Sequence, residues 1–141
     1  MEDASGYTPS SGTRPQVVFR PAIPQQAVFD ARREIDGVFV SDAAQRYMVD
    51  LVFATRFPAR YKEPLSKWIQ IGASPRGSLA LDRCARARAW LDAQEFVTPD
   101  HVRAVMHDCL RHRLILSYEA ISQGVSADQV IDKIAELVAA A

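Results

Sequence analysis

The chain has 141 residues, enough to bury the core of one domain but not of two. Lysine plus arginine and aspartate plus glutamate number 17 each, so there is no net charge to attract DNA, RNA or an anionic membrane. No apolar run approaches the ~20 residues that span a bilayer, and the N-terminus lacks the features of a signal peptide, so we expect no membrane insertion and a cytoplasmic location.

The chain begins with a predicted flexible linker over residues 1–23, which is rich in glycine, serine, threonine and proline. Pro24 then opens a first helix that we expect to end near residue 35, before Gly37. Its apolar positions follow helical spacing: Ala27, Val28, Ala31 and Ile35. Residues 38–40 are predicted to form a short extended segment.

A second helix is predicted over residues 42–57, with Ser41 as its N-cap. Side chains suited to a core occupy two rows of this helix: Ala44, Tyr47, Met48, Leu51, Val52 and Thr55, with Val49, Phe53 and Phe57 beside them. A helix that is apolar around so much of its circumference is expected at the centre of a bundle. Pro58 ends it.

Residues 58–71 form a long predicted connection, and loops of this length are usually functional or disordered. The segment is too apolar for a free tail. Its large side chains either cover the bundle or form an interface with another domain or subunit. The candidate interface residues are Tyr61, Leu65, Trp68 and Ile69.

Residues 72–76 read Gly-Ala-Ser-Pro-Arg and predict the start of a third helix. Ser74 is a favourable N-cap, and Pro75 would occupy the first helical position, where its missing N–H costs nothing. Arg76 then stands in the first turn, where the helix dipole disfavours a cation. Such an arginine is either an ordinary surface residue or, together with free N–H groups, a binding site for an anion such as phosphate.

The third helix is predicted to continue to about Asp92. Small and apolar residues recur along one face and predict close contact with a neighbouring helix: Ala80, Cys84, Ala87 and Leu91. Three further arginines are spread around the helix and are interpreted as a solvated surface: Arg83, Arg86 and Arg88. Cys84 and Cys109 both fall among apolar residues of helices, which favours reduced core thiols over a disulfide.

Two more helices and a short helical turn at residues 118–123, closed by Gly124, complete the prediction. Residues 114–116 are either a third extended segment or the end of the fourth helix. Thr98 with Pro99 marks the start of the fourth, after a short extended segment at residues 96–97, and Ser126 with Gln129 forms a capping box for the fifth. Their inward residues are Val102, Val105, Met106, Cys109, Val130, Ile131, Ile134, Leu137 and Val138. The histidines and Cys109 lack the spacing of a metal-binding helix, so we predict no metal site.

The expected fold is therefore an all-α bundle of about five helices over residues 24–141, with two or three very short extended segments. The segment from Gly72 to Arg113 resembles the C-terminal lid of MoxR-type AAA+ ATPases, and the similarity extends over about residues 38–139. The motifs that carry it are Gly-Ala-Ser-Pro-Arg at 72–76, Phe-Val-Thr-Pro-Asp at 96–100 and Leu-Arg-His-Arg at 110–113.

This resemblance implies a lid that closes over ATP and Mg²⁺ held by a separate ATPase core and couples the nucleotide state to chaperone-like remodelling. It gives Arg76 the role of the sensor 2 arginine, supported by Ser74, Pro75 and Gly77. The family usually has alanine after the arginine, so Gly77 is expected to loosen the first turn by up to ~1 kcal/mol. Whether Arg76 would act on the nucleotide of its own subunit or of a neighbour stays open.

The same resemblance implies partners: the protein's own core domain, the neighbouring subunits of a hexameric ring and a protein with a von Willebrand factor A domain. The chain has no phosphate-binding loop, so we expect no catalytic residue in this fragment. Two other functions stay open. One is a stand-alone adaptor that binds a protein through Trp68 and residues 58–71. The other is a nucleic-acid-binding module that uses five arginines: Arg83, Arg86, Arg88, Arg103 and Arg111.

Overall fold

The computed structural model describes residues 21–61 and 64–139. The linker predicted for residues 1–23 lies outside them except for its last three residues, and it stays a prediction. Seven α-helices and a two-stranded sheet make up this described part of the chain. Their bounds are α1 Gln25–Gly37, α2 Asp42–Arg56, α3 Leu65–Trp68, β1 Ile69–Ile71, α4 Arg76–Leu91, α5 Pro99–Leu110, β2 Ile115–Leu116, α6 Tyr118–Ser122 and α7 Ala127–Leu137, with 3₁₀ turns at Pro58–Tyr61 and Arg111–Arg113.

The predicted all-α class is confirmed. The five predicted helices correspond to α1, α2, α4, α5 and α7, and α6 is the short helical turn that precedes Gly124. The sequence did not predict α3 or β1, which occupy the segment read as a long connection. With seven helices and so little sheet, the described residues bury their core between helices.

Local capping explains why the predicted starts of α2 and α5 were accurate. The Ser41 hydroxyl accepts a hydrogen bond from the Ala44 N–H at 3.1 Å at the start of α2. At the start of α5, the Thr98 hydroxyl accepts from the His101 N–H, and His101 Nδ1 accepts from the Thr98 N–H at 3.0 Å. Each pair satisfies backbone donors that a helix cannot satisfy by itself. His101, one of the residues weighed as a metal ligand, therefore serves as a capping residue.

Helix α2 lies at the centre, in contact with α4, α5 and α7. Its Leu51 and Ala54 have no exposed surface. The fully buried side chains around them come from every major element except α1: Leu65, Leu81, Val102, Leu110, Val130, Ile131 and Ile134. Helix α1 contributes no buried residue and contacts mainly α4. The predicted row that contains Leu51 is buried, whereas the second predicted row is not, since Val49 is 52% exposed and Phe57 is 44% exposed. Helix α2 therefore buries one face between its neighbours and exposes part of its apolar circumference.

The buried face of α4 differs from the predicted one. The residues that α4 buries recur every four positions: Gly77, Leu81, Ala85 and Ala89. Of the predicted face, Cys84 is exposed and Leu91 is 71% exposed. The true face is displaced by about one residue, roughly 100° around the helix axis. Both faces carry small residues, so the spacing alone did not distinguish them. Contact with α5 determines which of the two faces is buried.

Two short backbone pairings connect the helices. Strands β1 and β2 are antiparallel, with Ile69 opposite Leu116 and Ile71 opposite Ile115. Elsewhere, the Phe39 N–H donates to the Glu95 carbonyl at 2.9 Å, in a single parallel bridge between the segments before α2 and before α5. The extended segments predicted at residues 38–40 and 96–97 thus meet in this bridge. Of the two alternatives for residues 114–116, the structure has an extended segment, strand β2, whose partner β1 the sequence did not predict.

The two cysteines differ in exposure. Cys109 is 5% exposed, as predicted, whereas Cys84 is exposed, contrary to its prediction as a core thiol. Both are free. Burial, with a smaller contribution from the neighbouring Cys84 thiol, raises the pKa of the Cys109 thiol to about 12. A thiol with so high a pKa remains protonated at neutral pH and is a poor nucleophile.

We therefore expect iodoacetamide at pH 8 to alkylate Cys84 in the folded chain and to leave Cys109 unmodified. In denaturant, where burial no longer raises its pKa, Cys109 should react at an ordinary rate. Mass spectrometry of tryptic peptides at timed intervals measures both rates, with the Cys84→Ser variant as a control. Equal rates for the two thiols in the folded chain would contradict the buried position of Cys109.

Candidate functional site

Arg76 is the first residue of α4, a helix of 16 residues. Its side chain is exposed and makes no hydrogen bond or ion pair with any residue in the described part of the chain. The N-terminus of a helix carries partial positive charge and free N–H groups, so a cation there has no favourable partner within its own helix. The arrangement leaves the guanidinium available to an external anion.

Ser74 does not cap this helix through its side chain. Pro75 takes the N-cap position with a helical backbone, and α4 has no side-chain capping bond. Ser74 contributes its carbonyl oxygen instead, which accepts from the Gly77 N–H at 2.8 Å, and the Pro75 carbonyl accepts from the Ser78 N–H at 3.1 Å. These i to i+3 bonds tighten the first turn and satisfy donors that the predicted hydroxyl cap would have served.

Gly77 lies in close contact with the core, which the sequence did not predict, and the expected loosening of the first turn stays a prediction. It is buried, and a Cβ there would lie 3.2 Å from Val52 Cγ2 and 3.3 Å from Leu110 Cδ2. The absence of a side chain thus lets the first turn of α4 approach both α2 and α5 closely. Arg76, which precedes Gly77, therefore extends from a helical turn that packs directly against the core.

We call residues 72–76 the arginine loop, and its conformation is fixed by the end of α2. The Thr55 hydroxyl, in a side chain 1% exposed, accepts from the Ala73 N–H at 2.9 Å and donates to the Val52 carbonyl at 2.7 Å. The Arg56 guanidinium donates to the Ala73 carbonyl at 3.3 Å. The backbone N–H and the carbonyl of Ala73, three residues before Arg76, are therefore both hydrogen-bonded to the end of α2. We call these two contacts the Thr55–Arg56 clamp.

Gly72 is a required part of this arrangement. A Cβ on Gly72 would lie 2.1 Å from the Thr55 carbonyl oxygen and 2.7 Å from the Arg56 backbone nitrogen, so only glycine fits. Sequence reasoning missed the clamp. The available signals were a threonine and an arginine at the end of a helix and a glycine that opens the loop, but nothing in the sequence pairs them.

A shallow cavity of about 260 Å³ opens beside the clamp, lined by Arg56, Phe57, Gln70, Ile71 and Gly72. Phe57 and Ile71 are large apolar side chains with substantial exposure. The arginine loop is therefore flanked by open, partly apolar surface.

The candidate interface residues mostly lie in the core. Leu65 is completely buried and Ile69 is 7% exposed, so neither offers surface to a partner. Tyr61 and Trp68 are half-buried and pack against the same core. For residues 58–71, the structure supports core cover by Leu65 and Ile69. Of the four candidate residues, Tyr61 and Trp68 keep their outer edges available for contact, and Ile71 of the same segment is 54% exposed.

Most arginines proposed for nucleic-acid binding are engaged with carboxylates. Arg86 Nε binds both oxygens of Asp82, and its Nη1 donates to the carbonyls of Asp36 and Val38, which attaches the end of α1 to α4. The other ion pairs are Arg88 with Asp92, Arg103 with Asp100, and Arg111 with Asp108 and Asp128. Arg83 alone of the five lacks such a pair within the described residues. The observed pairing does not favour a nucleic-acid surface.

The same part of the chain contains no group of three or more histidine, cysteine, aspartate or glutamate side chains that could hold a metal ion. None of its helices is both long enough and apolar enough to cross a bilayer.

Residues 66–134 match the family described as the AAA lid domain. The chain is 39% identical over 102 residues to the chaperone MoxR1 of Mycobacterium tuberculosis, covering 72% of this chain and 27% of that protein. It is 43% identical over 86 residues to the protein MoxR of Paracoccus denitrificans, covering 57% of this chain and 25% of that protein.

A crystal structure of a putative ATPase from Cytophaga hutchinsonii has the same fold, with a TM-score of 0.79 and 39% sequence identity. The match covers 82% of this chain and 36% of that one. The chain therefore spans only about a quarter to a third of these relatives.

Proposed function

Because this chain is the lid region of a MoxR-type AAA+ ATPase, with residues 66–134 in the AAA lid domain family, we propose that it senses nucleotide for a longer ATP-hydrolysing protein. In this proposal Arg76 contacts the phosphates of ATP bound by an ATPase core outside this chain. Closure of the lid then couples the state of the nucleotide to chaperone-like remodelling.

The observation that carries the proposal is the exposed Arg76 guanidinium, which has no partner among the described residues and stands at the N-terminus of a rigidly seated helix. Guanidinium groups bind phosphate through two parallel N–H donors, and the helix N-terminus adds a favourable field for negative charge. The Thr55–Arg56 clamp and Gly77 support it, because they fix the backbone that carries Arg76, so that phosphate binding has to order only the arginine side chain.

The cofactor and partner proposals follow the same resemblance. In this proposal the ATPase core of the full-length protein binds ATP and Mg²⁺, as the resemblance to the family implies. The lid would contact its own ATPase core and the neighbouring subunits of a hexameric ring, and the assembly would act with a protein carrying a von Willebrand factor A domain.

The test is Arg76→Ala in the full-length protein. We expect ATP turnover to fall by about tenfold to a hundredfold, because a charged contact to the phosphates is lost, while the unfolding temperature of the protein stays unchanged. Steady-state ATPase assays give kcat and KM, and thermal unfolding checks the fold. The exposed position of Arg76 makes a structural effect of the substitution small.

Arg83→Ala is the matched control. Arg83 lies two helical turns along α4, is exposed and has no carboxylate partner among the described residues, so its removal takes away the same charge at another place. Its turnover should stay within about twofold of the original protein. Unchanged turnover in Arg76→Ala, or an equal loss in both variants, would contradict the sensor role.

A further inference from the structure

Arg56 belongs to a different helix from Arg76 but contacts the same arginine loop. It ends α2, where a cation is favoured by the negative end of the helix dipole, and its Nη1 reaches the Ala73 carbonyl at 3.3 Å. Its contact with the loop spans 17 positions in the sequence. The arginine loop thus contains one arginine, Arg76, and is hydrogen-bonded to a second one, Arg56, from another helix.

The contact with Ala73 uses only part of the hydrogen-bonding capacity of Arg56. A guanidinium has five N–H donors, and this bond occupies one of them. The side chain is exposed and has no carboxylate partner among the residues that the structure describes, unlike Arg86, Arg88 and Arg111. The remaining donors and the full positive charge are therefore available to an anion at the surface of the loop.

The backbone around Arg56 is also immobilised. The Thr55 hydroxyl bonds and the close approach of Gly72 hold the last turn of α2 against the loop. A receptor for a highly charged anion gains most from cations that are fixed before the anion arrives.

We propose that Arg56 is a second phosphate-binding residue, which acts with Arg76 on the polyphosphate of the bound nucleoside triphosphate. This inference rests on the proposed function of Arg76. It assigns Arg56 two tasks: one N–H holds the Ala73 carbonyl, and the others contact phosphate oxygens.

The experiment uses the full-length protein with Arg56→Gln, which removes the charge and retains an amide donor, and with Arg56→Lys, which retains the charge. We expect Arg56→Gln to raise the KM for ATP about tenfold, and Arg56→Lys to recover a substantial part of that loss, since lysine binds phosphate as a point charge. Thermal unfolding is measured for each variant to separate binding from folding.

Arg60→Gln is the matched control. Arg60 lies one turn beyond Arg56, is exposed, and stacks over the rings of Phe53 and Phe57 at 5.3 and 5.6 Å from their centroids. Its removal deletes the same charge from the same end of α2 without touching the arginine loop. We expect its KM for ATP to stay within about twofold.

Three outcomes overturn the inference. If Arg56→Gln changes KM no more than Arg60→Gln while Arg76→Ala still lowers turnover, only the role of Arg56 fails. If Arg56→Lys is as defective as Arg56→Gln and both lower the unfolding temperature, Arg56 is a structural clamp alone. If neither Arg76→Ala nor Arg56→Gln changes turnover or the KM for ATP, both the inference about Arg56 and the proposed function of Arg76 fail.

Discussion

Gly72→Ala is expected to destabilise the domain by on the order of 3 kcal/mol, enough to lower its unfolding temperature by roughly 10 °C or more. The added Cβ would lie 2.1 Å from the Thr55 carbonyl oxygen, 2.4 Å from the Thr55 carbonyl carbon and 2.7 Å from the Arg56 backbone nitrogen. All three atoms belong to the backbone of α2, so no side-chain rotation can relieve the clash. The loop must move away, and the bonds of the Thr55–Arg56 clamp must break with it.

Gly37→Ala provides the control for this prediction. Gly37 ends α1, and a Cβ there would meet nothing within 4 Å. Alanine also restricts the unfolded chain more than glycine does, so we expect this variant to be neutral or slightly stabilised. Urea unfolding of the two variants, followed by circular dichroism, measures the difference. A Gly72→Ala domain as stable as Gly37→Ala would show that the loop does not lie against α2 as described.

Leu65→Ala is expected to cost about 2–5 kcal/mol of unfolding free energy, because it leaves a cavity in the core. Leu65 has no exposed surface, although the sequence allowed it to be an interface residue. The short helix α3, which is part of the segment that connects α2 to the arginine loop, places Leu65 in the core. Its loss should therefore destabilise the isolated chain, with no partner present.

Leu79→Ala is the corresponding surface variant. Leu79 is 62% exposed on α4, so the same change in side chain should alter stability by less than about 0.5 kcal/mol. Chemical denaturation of both variants of this chain separates the two interpretations of residues 58–71. If Leu65→Ala is as mild as Leu79→Ala, Leu65 is not a core residue and an interface role returns.

The proposed sensing role of Arg76 depends on a set of contacts that hold the backbone on both sides of it. Gly72 permits the loop to lie against α2, Thr55 and Arg56 hold the Ala73 peptide, and Gly77 seats the first turn of α4. Arg76 makes no such contact within the described residues. The structure thus commits the residues around Arg76 to fixing its position and leaves its charged group exposed.

The sequence by itself determined the features that depend on neighbours only a few positions apart. The starts of α2, α5 and α7 were predictable because Ser41, Thr98 and Ser126 accept hydrogen bonds from residues three positions later. The all-α class and the central place of α2 followed from helical spacing. The placement of Arg76 at the start of a helix followed from Ser74 and Pro75, although the hydroxyl cap did not form.

Only the tertiary structure decided which faces meet and what fixes the arginine loop. Two adjacent faces of α4 carry small residues, so contact with α5 selected the stripe that contains Gly77 and left Cys84 exposed. The bonds of Thr55 and Arg56 to Ala73 join residues 18 and 17 positions apart, and the clash at Gly72 involves the same backbone. Helical periodicity gives the spacing of side chains along one helix, whereas these contacts depend on how separate helices approach each other.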